Sequence, residues 1–291
     1  MRSRRMASTA AVAGVADAAS VICISRIRTG IAYDHHHRYR VLYVKRPSHA
    51  DSFANRVVFP GGKVDAQDGI TGVQGVDRFK VCAARELFEE TGLLLGADGC
   101  QVGSDDVRRD VIDGRVPFQS LQPSWAHLAD QLRPWSNWIT PVSERRRFNT
   151  MFFLANVDPD VAAKASLLDK SGDGELIDLA WWTPSEALQA YSSWEVKMAP
   201  PQIYIMHELL HKETIDEVYR HIGRGHPIKP ILPRIERLSP EYTAVLLPGD
   251  QIYDPKADWD EMDYKSWHRV VIHESDPSQT RVIVGPLLSN L

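Results

Sequence analysis

The sequence predicts an α/β fold followed by a C-terminal extension. Three observations point there. Short runs rich in β-branched and aromatic residues alternate with stretches that carry helix start and stop signals. The chain has 291 residues, 43% of them hydrophobic, which is enough to bury a sizeable core. A connection holding Pro227, Pro230 and Pro233 then leads into a tail of strand-like runs.

Taken in order, residues 1–19 read as an N-terminal tail. Residues 20–26 and 40–45 read as strands. His35, His36 and His37 lie between them and read as a solvated loop, because adjacent residues of an extended chain point in opposite directions. Residues 56–60 form another short strand, ended by Pro60-Gly61-Gly62. Residues 77–91 read as a helix, with Asp77 as N-cap and Gly92 as a left-handed stop. Residues 124–132 read as helical, 150–157 and 177–182 as strands. The helix that follows has Thr183 as N-cap, Pro184 at the first position and Glu186 as reciprocal capping partner. Residues 201–211 and 214–221 fit two more helices. The domain is expected to span 20–235, with an extension over 236–291 whose strands are 243–247, 268–273 and 281–284.

Charge and composition exclude several classes. The formal net charge is -4, which disfavours general nucleic-acid binding. No apolar run approaches the roughly 20 residues that span a bilayer. Cys23, Cys82 and Cys100 are odd in number and form no C-x-x-C pair, so neither a disulfide framework nor a structural zinc site is expected. An intracellular, cytoplasmic protein, monomer or homodimer, is the expectation. Arg2, Arg4 and Arg5 ahead of an Ala- and Ser-rich stretch keep a mitochondrial address open beside a frayed tail. Ser289-Asn290-Leu291 is similar to the peroxisomal Ser-Lys-Leu signal but lacks its cation.

The informative segment runs from Phe59 to Leu95. Glu86, Glu89 and Glu90 are spaced i, i+3 and i+4, which puts the three carboxylates on one helix face. Like charges so placed destabilise a helix. They also make the cluster of hard oxygen donors that Mg²⁺ or Mn²⁺ requires. A solvated acidic face, partnered by Lys80 and Arg85, is the plainer reading. The Gly61-Gly62 turn, where backbone can approach a ligand closely, and the apolar anchors Leu87 and Phe88 favour the metal site.

The segment resembles the Nudix box, G-x5-E-x7-R-E-U-x-E-E-x-G-U with U aliphatic. Its second half matches from Arg85 through Leu93. Its first half matches through Phe59-Pro60-Gly61-Gly62, with Asp65 and Asp68 where Glu is commoner. Sixteen residues separate Asp68 from Arg85 where the pattern has seven, an insertion of nine that leaves the approach of Asp68 to the helix open. The insertion, Trp135 through Pro141, Arg147 through Leu154, Ala199-Pro200-Pro201-Gln202 and Leu246 through Asp250 resemble a coenzyme A diphosphatase branch of the family. The Arg- and His-containing motif of other coenzyme A members is absent in its usual form; Lys45-Arg46-Pro47 and Arg56 stand there instead.

The resemblance implies an α/β/α Nudix sandwich with a mixed sheet and a Mg²⁺- or Mn²⁺-dependent hydrolysis of a phosphoanhydride bond. Coenzyme A or acyl-coenzyme A would give 3′,5′-ADP and (acyl-)4′-phosphopantetheine. ADP-ribose, a dinucleotide, an isoprenyl diphosphate, or a catalytically silent binding module are the alternatives. It implies that Glu86, Glu89 and Glu90 hold metal with help from the Gly61 carbonyl, and that Arg85 orients a neighbouring glutamate. Glu175 is the candidate for a further carboxylate outside the box, with Asp178 as competitor. Arg46, Gly62 and Arg147 are candidate contacts to the small-molecule diphosphate substrate, since guanidinium matches phosphate geometry. Trp125, Trp135 and Trp138 read either as core or as a stacking surface for adenine.

Overall fold

The structure is a computed structural model and describes residues 14–28, 37–45, 56–69, 75–121, 124–165, 178–223, 228–254 and 267–284. Its centre is β1 (Ala16–Arg26), whose first residues lie within the stretch read as a tail. Alternate β1 side chains serve opposite faces, and eight consecutive residues are buried, as expected of a strand covered on both sides. β2 (Tyr39–Lys45) and the short β3 (Val57–Val58) follow, then β4 (Gly61–Lys63). Helix α1 (Arg78–Thr91) starts at Asp77, whose side chain accepts the Lys80 N–H, and ends at Gly92 with φ 71°. Both caps were legible in the sequence.

After α1 come β5 (Leu93–Gly96), β6 (Gly99–Val102), α2 (Asp105–Ile112), α3 (Leu128–Gln131), β7 (Arg133–Ile139) and β8 (Phe148–Asn156). Then come α4 (Pro159–Ala165), β9 (Asp178–Trp182), α5 (Pro184–Ser192), α6 (Pro200–Leu210) and α7 (Ile215–Gly223). The chain continues through β10 (Pro230–Ile231), β11 (Arg234–Arg237), β12 (Tyr242–Leu246), β13 (His268–His273) and β14 (Arg281–Val284). The Thr183–Glu186 capping box forms as expected.

Among the described residues the main sheet has eight strands, ordered β10–β7–β8–β1–β2–β3, with β4 on β1 and β9 on β2. It is mixed: β1–β8 and β10–β7 are parallel, and the other pairs are antiparallel. α1 to α4 pack on the face that presents Ala19, Val21 and Cys23. α5 to α7 pack on the face that presents Ile22 and Ile24. This α/β/α layering is the expected class. β11 to β14 form a second antiparallel sheet, and Val245, Leu247 and Val270 from it share the α6-side core. That sheet begins at Arg234, so the expected 235/236 boundary falls within β11.

Two readings need correction. The helix expected over 124–132 shrinks to α3, and the tryptophan-rich stretch after it is strand β7. Pro134 argues against a strand in sequence; a register shift between Pro134 and Ser136 accommodates it, as a β-bulge does. His37 is buried rather than solvated. Its Nε2 lies 3.1 Å from the Leu210 carbonyl oxygen and its Nδ1 3.4 Å from Ser185 Oγ, so hydrogen bonding offsets the burial of the ring. His35 and His36 lie outside the described residues, as do the two chain ends on which the compartment readings rest. Cys23, Cys82 and Cys100 are all free thiols.

Candidate active site

β4 and α1 build the site. β4 pairs with β1 at Ser20↔Gly61 and Ala19↔Gly62, which lays the two glycines against the central strand. A Cβ on Gly61 would fall 2.4 Å from the Ala19 carbonyl oxygen, so no side chain fits there. A Cβ on Gly62 would fall 2.5 Å from the Glu86 carboxylate. The glycine pair therefore brings bare backbone up to the acidic helix face. Gly61 N–H donates to Glu90 Oε2 at 2.9 Å, tying strand to helix.

Arg85 is the hub. It is buried, and its Nη1 reaches Glu89 Oε2 at 2.8 Å and Glu86 Oε1 at 2.9 Å. Its Nη2 also donates to the Lys63 carbonyl oxygen at 3.0 Å. Asp68 grips the same guanidinium from the other side, with Nε–Oδ1 at 2.8 Å and Nη2–Oδ2 at 2.9 Å. The insertion therefore does not remove Asp68 from the helix: a capping box with Asp65 turns it inward, and it is fully buried. Burial alone would lower the Arg85 pKa; the Asp68 hydrogen bonds and the charges of Glu86, Glu89 and Asp68 outweigh it and raise it. Arg85 stays a fixed cation among the three carboxylates of Asp68, Glu86 and Glu89.

Burial pushes Glu86 up to about 6, opposed by Arg85 and reinforced by Glu89. Burial likewise raises Glu89, again opposed by Arg85. Gathering carboxylates in partly desolvated surroundings is costly unless positive charge is supplied. Among the described residues no three acidic, histidine or cysteine side chains converge as a preformed cage. The donor set nevertheless fits a divalent cation: the Glu86 carboxylate lies where a Cβ on Gly62 would fall, Glu90 accepts from Gly61 N–H, and Glu89 stands on the same helix face.

The other candidates are not among the residues that Arg85 gathers. Arg147 closes the β7–β8 turn, its Nε donating to the Thr140 carbonyl oxygen at 3.0 Å. Asp178 is exposed at the start of β9, in register with Lys45. Arg46 and Glu175 lie outside the described residues. Trp125, Trp135 and Trp138 are core residues, not a stacking surface. Trp125 stacks on Phe118 at 4.8 Å, Trp138 meets Tyr204, and Trp135 donates to Glu208 Oε2 at 3.0 Å. The grip of Asp68 on Arg85 was left open by the sequence; the Asp65–Asp68 spacing, which suits a capping box, was its signal.

Known proteins resemble this chain. The NUDT19 Nudix domain model matches residues 72–209. A Caenorhabditis elegans protein named nudix hydrolase 7 is 31% identical over 220 residues, covering 74% of this chain and 70% of its own. The chain belongs to the Nudix hydrolase family. A Xenopus laevis relative named acyl-coenzyme A diphosphatase NUDT19 is 28% identical, covering 76% of this chain and 73% of that one. The human protein of that name is 27% identical, over 72% and 63%. A Nudix hydrolase structure from Alicyclobacillus acidocaldarius has the same fold, with TM-score 0.56 and 21% identity over 71% of this chain and 96% of that one. The chain is thus a Nudix-type hydrolase of diphosphate bonds, in a family that generally uses divalent metals. No helix among the described residues is long and apolar enough to cross a membrane.

Proposed function

We propose that this Nudix hydrolase cleaves the diphosphate of coenzyme A or acyl-coenzyme A, giving 3′,5′-ADP and (acyl-)4′-phosphopantetheine. The observation that carries the chemistry is the glycine-walled space beside Glu86, with Glu89 and Glu90 on the same helix face. The substrate class rests on the relatives named acyl-coenzyme A diphosphatase. Mg²⁺ or Mn²⁺, held by Glu86, Glu89, Glu90 and the Gly61 carbonyl, would neutralise the diphosphate and acidify water.

The chain's own residues then have distinct tasks. Arg85 holds Glu86 and Glu89 in place, so their oxygens need no reorganisation when substrate arrives. Asp68 fixes Arg85 from behind and acts as a positioning residue. Gly62 admits the diphosphate close to backbone, where a side chain would exclude it. Glu175 is the proposed base that accepts the proton from attacking water, and Arg46 and Arg147 are proposed contacts to substrate phosphates.

Hydrolysis with Mg²⁺ or Mn²⁺ is measured on coenzyme A, acetyl-coenzyme A, ADP-ribose, diadenosine polyphosphates, NADH and farnesyl diphosphate, with Glu90→Gln as control. Release of 3′,5′-ADP from the coenzyme A substrates, lost in the variant, is expected. Turnover confined to another compound would sink the substrate assignment and keep the metal chemistry. Silence on every compound, with ligand still bound, would replace both with a binding module.

A further inference from the structure

A second concave site lies at the other end of β1. Ser25 stands five residues beyond Ser20, the partner of Gly61, which is roughly 16 Å along the strand. There the sheet face, covered on one side by α4, encloses a cavity of about 230 Å³. Ser25, Arg26, Arg28, Arg40 and Trp181 line it, with Ala162 of α4 as apolar wall.

Two observations point to a ligand. Ser25 is 4% exposed, and its hydroxyl has no hydrogen-bond partner. The indole N–H of Trp181 is also buried without a partner. Buried polar groups left unpaired carry their full desolvation cost, and both of these belong to side chains that line one cavity, so an acceptor there would offset that cost. The guanidinium groups give that group its charge. Arg28 pairs with Asp160, which occupies only part of its fork of five N–H donors. The polar side chains of this largely apolar lining are a hydroxyl, an indole N–H and three guanidinium groups, with no carboxylate among them, which selects an acceptor-rich anion. The cavity is smaller than the usual nucleotide- or drug-sized pocket.

We propose that this cavity binds a phosphoryl group, as inorganic phosphate or as the end of a phosphomonoester, at a site separate from the carboxylates of α1. Guanidinium forks match phosphate oxygens two at a time, and the neutral donors of Ser25 and Trp181 complete the shell. Occupancy would join β1, β2 and β9 at the end of the sheet remote from the Gly61-Gly62 turn.

The test follows the Trp181 indole N–H resonance of the full chain, assigned with Trp181→Phe, during titration with inorganic phosphate, phenyl phosphate and chloride. Saturable movement with phosphate, unaltered in Glu90→Gln and weakened about tenfold in Arg26→Gln, is expected. Ser25→Ala should weaken binding while leaving the free protein at least as stable, since it removes an unpaired buried hydroxyl. Calorimetric titration of wild type against the exposed-site variant Arg26→Gln gives the same comparison without the indole probe. Saturation by phenyl phosphate alone assigns the monoester; saturation by both assigns the bare phosphoryl group. No movement, equal movement with chloride, or unchanged affinity in Arg26→Gln overturns the proposal.

Discussion

At the residue scale, neighbouring glycines carry different burdens. Gly61 lies against Ala19 and Ser20 backbone, which cannot move without breaking the β1–β4 pairing. Gly61→Ala is therefore expected to destabilise the fold by about 2 kcal/mol or more, read as a drop in the denaturation midpoint. Gly62 faces only the end of the Glu86 side chain. Gly62→Ala should leave the midpoint nearly unchanged and cut kcat about a hundredfold, because a displacement near 1 Å at the reacting centre costs that much. Equal loss of stability in both would refute the assignment of Gly62 to the site. Asp68 offers a third comparison. Asp68→Ala leaves Arg85, 4% exposed, without its bidentate partner, and should cost about 3 kcal/mol. Asp68→Asn keeps one acceptor oxygen and should recover part of the stability while still lowering kcat more than it raises KM. A pure KM effect would remove Asp68 from the positioning of the helix carboxylates.

At the element scale, α6 joins the face of the sheet to the site. The Lys197 carbonyl, just before α6, accepts the Val57 N–H at 2.9 Å, and β3 leads directly to Pro60 and Gly61. On α6, burial pushes Glu208 up to about 7, opposed by the Trp135 indole hydrogen bond and by Lys212. Its folded pKa lies above the ordinary carboxylate value, so the fold binds the proton more tightly than the unfolded chain. The stability this contributes is full below about pH 4.5 and is lost as pH rises through about 7. Glu208→Gln, which keeps an acceptor for Trp135, should therefore gain stability over wild type at pH 8, by on the order of 2 kcal/mol, and match it at pH 4. Denaturation midpoints across that range check it; a difference independent of pH would show that Glu208 acts by packing alone. The elements most legible in sequence were those bounded by side-chain chemistry: α1 between Asp77 and Gly92, α5 behind its Thr183–Glu186 box. β7 was hidden by Pro134. The β5–β6 hairpin, α2 and α4 were missed because tertiary packing, with little local punctuation, decides them. Glu86, Glu89 and Glu90 were legible because helical spacing alone places them. Arg26, Ser25 and Trp181 were not, since they meet only when β1, β2 and β9 pair.

At the scale of the whole molecule, the second sheet is wired into the first layer. Asp250 and Arg269 form a buried bidentate pair, both contacts 2.7 Å, and Asp250 also accepts the His268 and Ile252 N–H groups. All of its capacity is used, which is the condition under which a buried pair is tolerated. The His268 ring then joins the second sheet to α6. Its Nδ1 lies 3.0 Å from the Pro248 carbonyl oxygen and its Nε2 2.8 Å from the Tyr204 hydroxyl of α6. Burial lowers the His268 pKa, in keeping with a neutral ring that donates to Pro248 and accepts from Tyr204. Because Val245, Leu247 and Val270 share a core with Ile22, Ile203 and Ile205, loosening the second sheet exposes the first. Asp250→Ala should therefore lower the stability of the whole chain by about 3 kcal/mol in one transition, not shed the C-terminal strands alone. Hydrogen exchange checks this: amides of β12, β13 and α6 should lose protection together. The coupling extends to chemistry, since α6 steadies β3 and β3 sets the Gly61-Gly62 turn. Asp250→Ala should lower kcat at temperatures well below its own melting transition. Separate loss of β12–β13 protection, with kcat and α6 unaffected, would make the second sheet an independent module and break that chain of cause.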